Sequence, residues 1–365
     1  MNTDGSLSLT VHWDGERITD ARVDSARPVD ACRVLEGRTA AEAVARVPQL
    51  FSVCRRSQQA AAALACELAR EGAADPASLA RRELEVLSEF AIESLWRLML
   101  DWPPMVGQAM QQREFATIRA RVLRWTHEAA WHELAADLEG ALAGAIYGMP
   151  LETWHALSCR QWLAESRHPT PRLVAEVLRH PCGGNAVRAL PWIDTFALAA
   201  EMAAALQSSD DFAREPVWRG EPAETGPISR QRNHPKVTEV AGHAVAARIV
   251  ARLVELAQAP ERIRELADGG AARAVRGVAC GEGTALAAVE TSRGTLVHFV
   301  SLAGERVRRW RIVAPTEWNF HPRGAFVHGM VQMKAATAQA ARGAGERLAA
   351  ALDPCVACEV TVAHA

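Results

Sequence analysis

Residues 6–23, "SLSLTVHWDGERITDARV", alternate apolar and polar side chains around Asp14-Gly15, which predicts a β-hairpin. From about Thr39 to Leu206 the apolar positions recur with helical period in a text rich in Ala, Leu, Arg and Glu. That pattern breaks at "DWPPMVG", "YGMPLE" and "HPCGGN", so it predicts a set of packed helices rather than one long rod. An irregular Pro- and Gly-rich stretch, 214–236, precedes another helical run, "VTEVAGHAVAARIVARLVELAQ". The period then switches to two in "TALAAVETSRG", "TLVHFVSL" and "RVRRWRIVAP", with Ala303-Gly304-Glu305 as the turn between the last two. A final helix, "KAATAQAARGAGERLAAAL", leads to "LDPCVACEVTVAHA". The expected fold class is α+β, mainly α, in a single unit over residues 1–365. Its helical core covers about 39–258, and a small antiparallel sheet is drawn from the strand-rich portions at about 6–24 and 284–314 of both chain ends.

Composition narrows the function. With 49% hydrophobic residues over 365 positions, the chain can bury a large core. A net charge of −2 offers no basic footprint for nucleic acid or an anionic membrane. No uncharged apolar run reaches the roughly 18 residues of a membrane span, and "MNTDGSLSLTVHWDGE" lacks the basic start of a signal peptide. A cytoplasmic protein is expected, its eight cysteines reduced. Cys32, Cys66, Cys159, Cys182 and Cys280 read as small apolar side chains.

Several motifs carry no chemistry. "GEGTAL" at Gly281 lacks the third glycine of a dinucleotide loop and reads as a turn. "RVRRWRI" reads as a solvated sheet face. The terminal Cys355-x-x-Cys358 pair is different. It follows a helix, unlike a redox dithiol at a helix start. A structural zinc would need two more ligands, for which Cys54 and His364 are candidates. Soft thiolates also suit iron centres, and an inert pair is the other alternative.

Both chain ends together resemble the [NiFe] hydrogenase large subunit. That family carries Cys-Gly-x-Cys-x-x-x-His before an Ala-rich helix and Asp-Pro-Cys-x-x-Cys-x-x-His near its C-terminus. "FSVCRRSQ" places Cys54 at the second cysteine, Phe51 at the first and Gln58 at the histidine. "DPCVACEVT" retains Cys355 and Cys358 and puts Thr361 at the histidine. "VHWDGERITDAR", "RVLEGR", "LMLDWPP", "GEPAETGPISR", "ETSRGTLVH" and "VAPTEWNFHPRG" follow the family's order. They place Asp101 as a pocket carboxylate (a helix cap is its alternative), Arg293 and Thr316 beside the metal, and Asn319 at a matching motif position. Residues of about 105–210 find no counterpart.

The resemblance implies that the second cysteine of each pair bridges nickel to an iron carrying two cyanides and one CO. Cys54 and Cys358 are the expected iron ligands, their sulfurs facing one another, and Cys355 is a further metal candidate. The start of the helix after Cys54 is expected to favour its thiolate. Phe51 cannot coordinate, so nickel loses a thiolate and stable nickel binding is not expected. Arg293 and Thr316 match the donors to the two cyanides. Ser292 replaces a proline, and "NTDGS" lacks the glutamate and histidine of the family's Arg-x-Glu-Gly-His. Only four residues follow Thr361, so no C-terminal extension is expected to be cleaved. These departures resemble the HupK/HoxV-type hydrogenase expression/formation proteins, degenerate relatives of the large subunit. That implies a scaffold, not an enzyme, that receives Fe(CN)2CO from HypC/HypD-type proteins and passes it to the apo large subunit. A metal-free chaperone that mimics the large subunit, and a divergent hydrogenase, are the alternatives.

Overall fold

The computed structural model describes residues 5–51, 53–184, 187–192 and 196–364. The hairpin forms as expected, β1 (Ser6–Trp13) pairing antiparallel with β2 (Ile18–Ser25). Asp14 closes the turn by accepting the N–H groups of Glu16 and Arg17 at 2.9 and 2.8 Å. Leu7, Leu9 and Val11 point inward from β1 and are buried.

Helix α1 (Ala40–Leu50) starts at a Thr39–Glu42 capping box. Helix α2 (Arg55–Glu71) ends on Gly72 in the left-handed region, and its alanines are buried against α1 and a sheet. Helix α3 (Pro76–Trp96) is capped by Asp75 and runs on through a π-helical turn at Arg97–Asp101, into the short Trp102–Met105 segment. π-turns re-aim side chains and recur at functional sites; this one carries Arg97 and Asp101. The "DWPP" break therefore falls after the helix, at Val106, because Pro103 and Pro104 occupy first-turn positions that need no N–H. The 24-residue helix α6 (Ala244–Ala267) runs through the core against α3 and α5 (Trp131–Leu142), while α4 (Gln112–His127) packs outside α5.

The C-terminal strands build a four-stranded antiparallel sheet in the order β3 (Val275–Gly281), β4 (Thr284–Glu290), β5 (Thr295–Ala303), β6 (Arg306–Val313). Gly281 opens the β3–β4 turn, as expected for "GEGTAL". After α7 (Pro315–Asn319) and α8 (Ala338–Leu352), β7 (Ala357–His364) lies parallel to β1, Cys358 opposite Leu7. The α+β fold class holds, but the described strands segregate into three sheets, the smallest a two-residue parallel pair of Arg188–Ala189 with Ala223–Glu224. Of the larger two, one is β2-β1-β7 and contains a parallel pair; the other joins no strand from the N-terminal hairpin. "RVRRWRI" is a solvated face only at its start, where Arg306 and Arg308 are exposed. Arg311 is buried and bonds Glu36 at 2.6 Å, and Arg309 reaches Asp210 at 2.8 Å, so the β6 arginines tie the sheet to preceding loops.

Candidate functional site

Five chain segments meet where α2 begins. They are the loop after β2, the start of α2, the β4–β5 turn, the β6–α7 junction and the segment between α8 and β7. Cys54 precedes α2 with φ of 55°, a left-handed conformation that costs a non-glycine residue about 1–2 kcal/mol. Such strain is retained where the surroundings hold a side chain in place for a purpose. Cys54 Sγ accepts from Arg293 Nη1 at 3.0 Å, and Glu93 Oε2 lies 3.6 Å away. Glu93 also accepts the Cys54 N–H at 3.3 Å and is ion-paired with Arg293.

Arg27 makes a parallel arrangement on the other side. Its Nη1 donates to Cys355 Sγ at 2.7 Å and its Nε donates to Glu317. Thr316 Oγ1 lies 3.1 Å from the same sulfur and accepts the Cys355 N–H at 3.3 Å. Cys54 and Cys355 thus line one cavity of about 50 Å³, each sulfur bonded to an arginine that is paired with a glutamate. Leu50, Phe51 and Val53 supply its apolar wall. At roughly 10–15 Å³ for one water centre, the space admits a group of a few heavy atoms.

Behind the cavity lies Asp353, buried and left-handed at φ 57°. Arg97 Nε and Arg252 Nη2 donate to it at 2.7 and 2.6 Å, and Arg293 Nε approaches to 3.4 Å. Burial alone would raise the Asp353 pKa, but Arg97, Arg293 and Arg252 outweigh it and hold the carboxyl well below the usual range. Asn319 fixes the backbone here. It accepts from the Thr225 N–H at 2.9 Å and donates to the carbonyls of Arg293 and Leu352 at 3.3 and 3.4 Å.

Most of the expected residues converge, with three corrections. Of the terminal cysteines, Cys355 rather than Cys358 shares the cavity with Cys54. The parallel register of β7 explains this: Cys358 and Val360 alternate onto its inner face and pack against the helical core. Second, the start of α2 does not favour a Cys54 thiolate. Glu89 takes the Arg56 and Ser57 amides at 2.9 and 3.0 Å. Burial pushes the thiol pKa well up, and Glu93 adds to that against the opposing Arg293. Third, Asp101 neither lines the cavity nor caps a helix. It pairs with Arg97, one step behind Asp353.

Gln58 replaces the family histidine yet keeps a buried contact, 2.8 Å from His298 Nε2. His364, a zinc candidate, instead sits at the far end of β7 against Trp13. Sequence reasoning passed over Arg27, Glu93 and two of the arginines on Asp353, Arg97 and Arg252. The available signal for Glu93 was Glu89 and Glu93 one turn apart within an otherwise apolar helical run; Arg27 offered none.

Residues 243–361 match the nickel-dependent hydrogenase family. A hydrogenase expression/formation protein HupK from Bradyrhizobium diazoefficiens is 29% identical, the alignment covering 96% of this chain and 94% of that protein. HoxV, also named a hydrogenase expression/formation protein, from Cupriavidus necator is 32% identical over 90% of both chains. This chain belongs to the HupK/HoxV hydrogenase expression/formation proteins. Its fold is that of the large subunit. A [NiFeSe] hydrogenase from Desulfomicrobium baculatum superposes with a TM-score of 0.59 at 13% identity, covering 94% of both chains. One from Desulfovibrio vulgaris Hildenborough gives 0.59 at 15% identity, also covering 94% of both. Membership of the expression/formation family places the chain in hydrogenase maturation, and none of its described helices is long and apolar enough to cross a membrane.

Proposed function

We propose that this family member is a carrier and not a hydrogenase. It holds iron as an Fe(CN)2CO unit, taken in the cytoplasm from HypC/HypD-type maturation proteins, and delivers it to the apo large subunit. One observation carries this reading: Cys54 and Cys355 line a single cavity, each bonded to its own guanidinium. Two thiolates suit an iron that arrives with three diatomic ligands, since soft sulfur supplies the remaining protein ligands. Iron(II) with two cyanides is neutral, so binding adds two thiolate charges, and Arg293 and Arg27 stand where these develop. Both thiols lose a proton on binding, as metal–thiolate sites require. Arg293 is a hydrogen-bond donor to the cargo, and Thr316 braces Cys355 beside it. Phe51 at the cavity wall disfavours nickel, because an apolar ring offers a dication neither ligand nor solvation.

A metal-free chaperone is the second reading. It is favoured by the fact that no three His, Cys, Asp or Glu side chains cluster as a metal site among the described residues. A bare ion would need such a cluster, whereas a pre-ligated unit does not. Protein coexpressed with the maturation proteins and purified without oxygen is expected to contain about one iron and little nickel per chain. Equimolar nickel together with hydrogen-activating activity would make it an enzyme.

Arg293→Leu is expected to weaken iron retention by about 10–100-fold, the usual cost of losing an outer partner of a metal site. Metal analysis after gel filtration measures it. Retention equal to the parent protein would remove Arg293 from the site.

A further inference from the structure

Arg27 is not part of any motif that links this chain to the large subunit, yet it lines the same cavity as Arg293. Its side chain is 12% exposed and is gripped by Glu317, whose other carboxylate oxygen accepts the Ala314 N–H at 3.0 Å and so fixes the start of α7. Burial opposes the Arg27 charge, but Glu317 and Cys355 outweigh it, so the guanidinium stays protonated. Nε is committed to Glu317 and Nη1 to Cys355, while Nη2 has no partner among the described residues. A cavity-lining guanidinium with one unspent edge is a donor waiting for an acceptor. Thr316, by contrast, already spends its hydroxyl on the Cys355 sulfur and N–H.

We propose that Arg27 is a second anion-binding residue of this site, which donates through Nη2 to an anionic diatomic ligand of the cargo, across the cavity from Arg293. The inference rests on the carrier reading above and deepens it: the pocket selects a metal unit bearing two anionic ligands, one guanidinium for each. Arg27 also holds Cys355 in place, so the two cysteines are each positioned by the residue that reads the adjoining ligand. A charged donor is worth roughly twice a neutral one, which makes Arg27 a stronger anchor than the Thr316 hydroxyl.

The test is infrared spectroscopy of loaded protein. Arg27→Leu alone would strand the Glu317 carboxylate, so it is combined with Glu317→Gln, and Arg27→Lys is made in parallel. The double variant is expected to lose iron occupancy, and in what remains loaded one of two cyanide bands moves further than the CO band. Arg27→Lys is expected to recover occupancy with that band still displaced, because an ammonium cannot reproduce the guanidinium fork. If the double variant does not fold, as judged by its thermal melt, the displaced band in Arg27→Lys decides alone. Cyanide bands at parent frequencies in the loaded variants would overturn the assignment and leave the carrier reading intact. Absence of diatomic bands from the parent protein would overturn both.

Discussion

Cys54→Ser protein, coexpressed with the maturation proteins and purified without oxygen, is expected to carry no iron unit and to leave its hydrogenase immature. A serine hydroxyl keeps the hydrogen-bond partner of Arg293 but is too hard and too weakly acidic to replace a soft thiolate on iron. Cys355→Ser is expected to behave in the same way. Cys358→Ser and Cys66→Ser are the controls. Cys358 packs on the inner face of β7, and Cys66 is buried on α2 among Ala62, Leu64 and Ala65, so both are expected to retain iron. Iron content per folded chain distinguishes these variants. Loss of iron in Cys358→Ser with retention in Cys355→Ser would show that β7 re-registers on loading and that Cys358 is the ligand.

Asp353→Asn is expected to destabilise the fold by about 3–5 kcal/mol, the cost of breaking a buried ion cluster by removing one partner. Arg97, Arg252 and Arg293 would lose their shared counter-charge in a site with little water. Asparagine tolerates the left-handed conformation at φ 57°, so the substitution isolates the charge from the backbone. The pH dependence follows in sign. The folded pKa of Asp353 is depressed, so its contribution is fully present above the unfolded value of about 4 and is lost as pH falls below it. Denaturant midpoints measured from pH 7 downward are expected to show a steeper acid fall in the parent than in Asp353→Asn. Parallel curves would mean the cluster is not tied to folding.

How much of this was legible in the sequence varied with the range of the interaction. The Asp14-Gly15 hairpin, the helical runs and the three alternating strands follow from local pattern, and each formed. Motif order located Arg293, Thr316 and Asn319, and they do surround the cavity or brace it. Strand β3 was missed because "VRGVACG" interrupts its alternation with glycine. The parallel docking of β7 on β1 has no local signal, since its register is set by a partner at the opposite end of the chain. That register is what turns Cys358 inward and leaves Cys355 at the cavity. Arg27 meets Cys355 across 328 residues and Arg293 meets Glu93 across 200, and no periodicity encodes such pairs. Carboxylates that neutralise a cationic pocket are recognised only once the pocket exists.

The most direct test of the carrier account is the infrared spectrum of the protein coexpressed with its maturation partners and purified without oxygen. The account predicts one CO stretch and two cyanide stretches, which disappear together in Cys54→Ser. A spectrum without diatomic bands, from protein that still supports hydrogenase maturation, would contradict it and leave a metal-free chaperone built on the large-subunit fold.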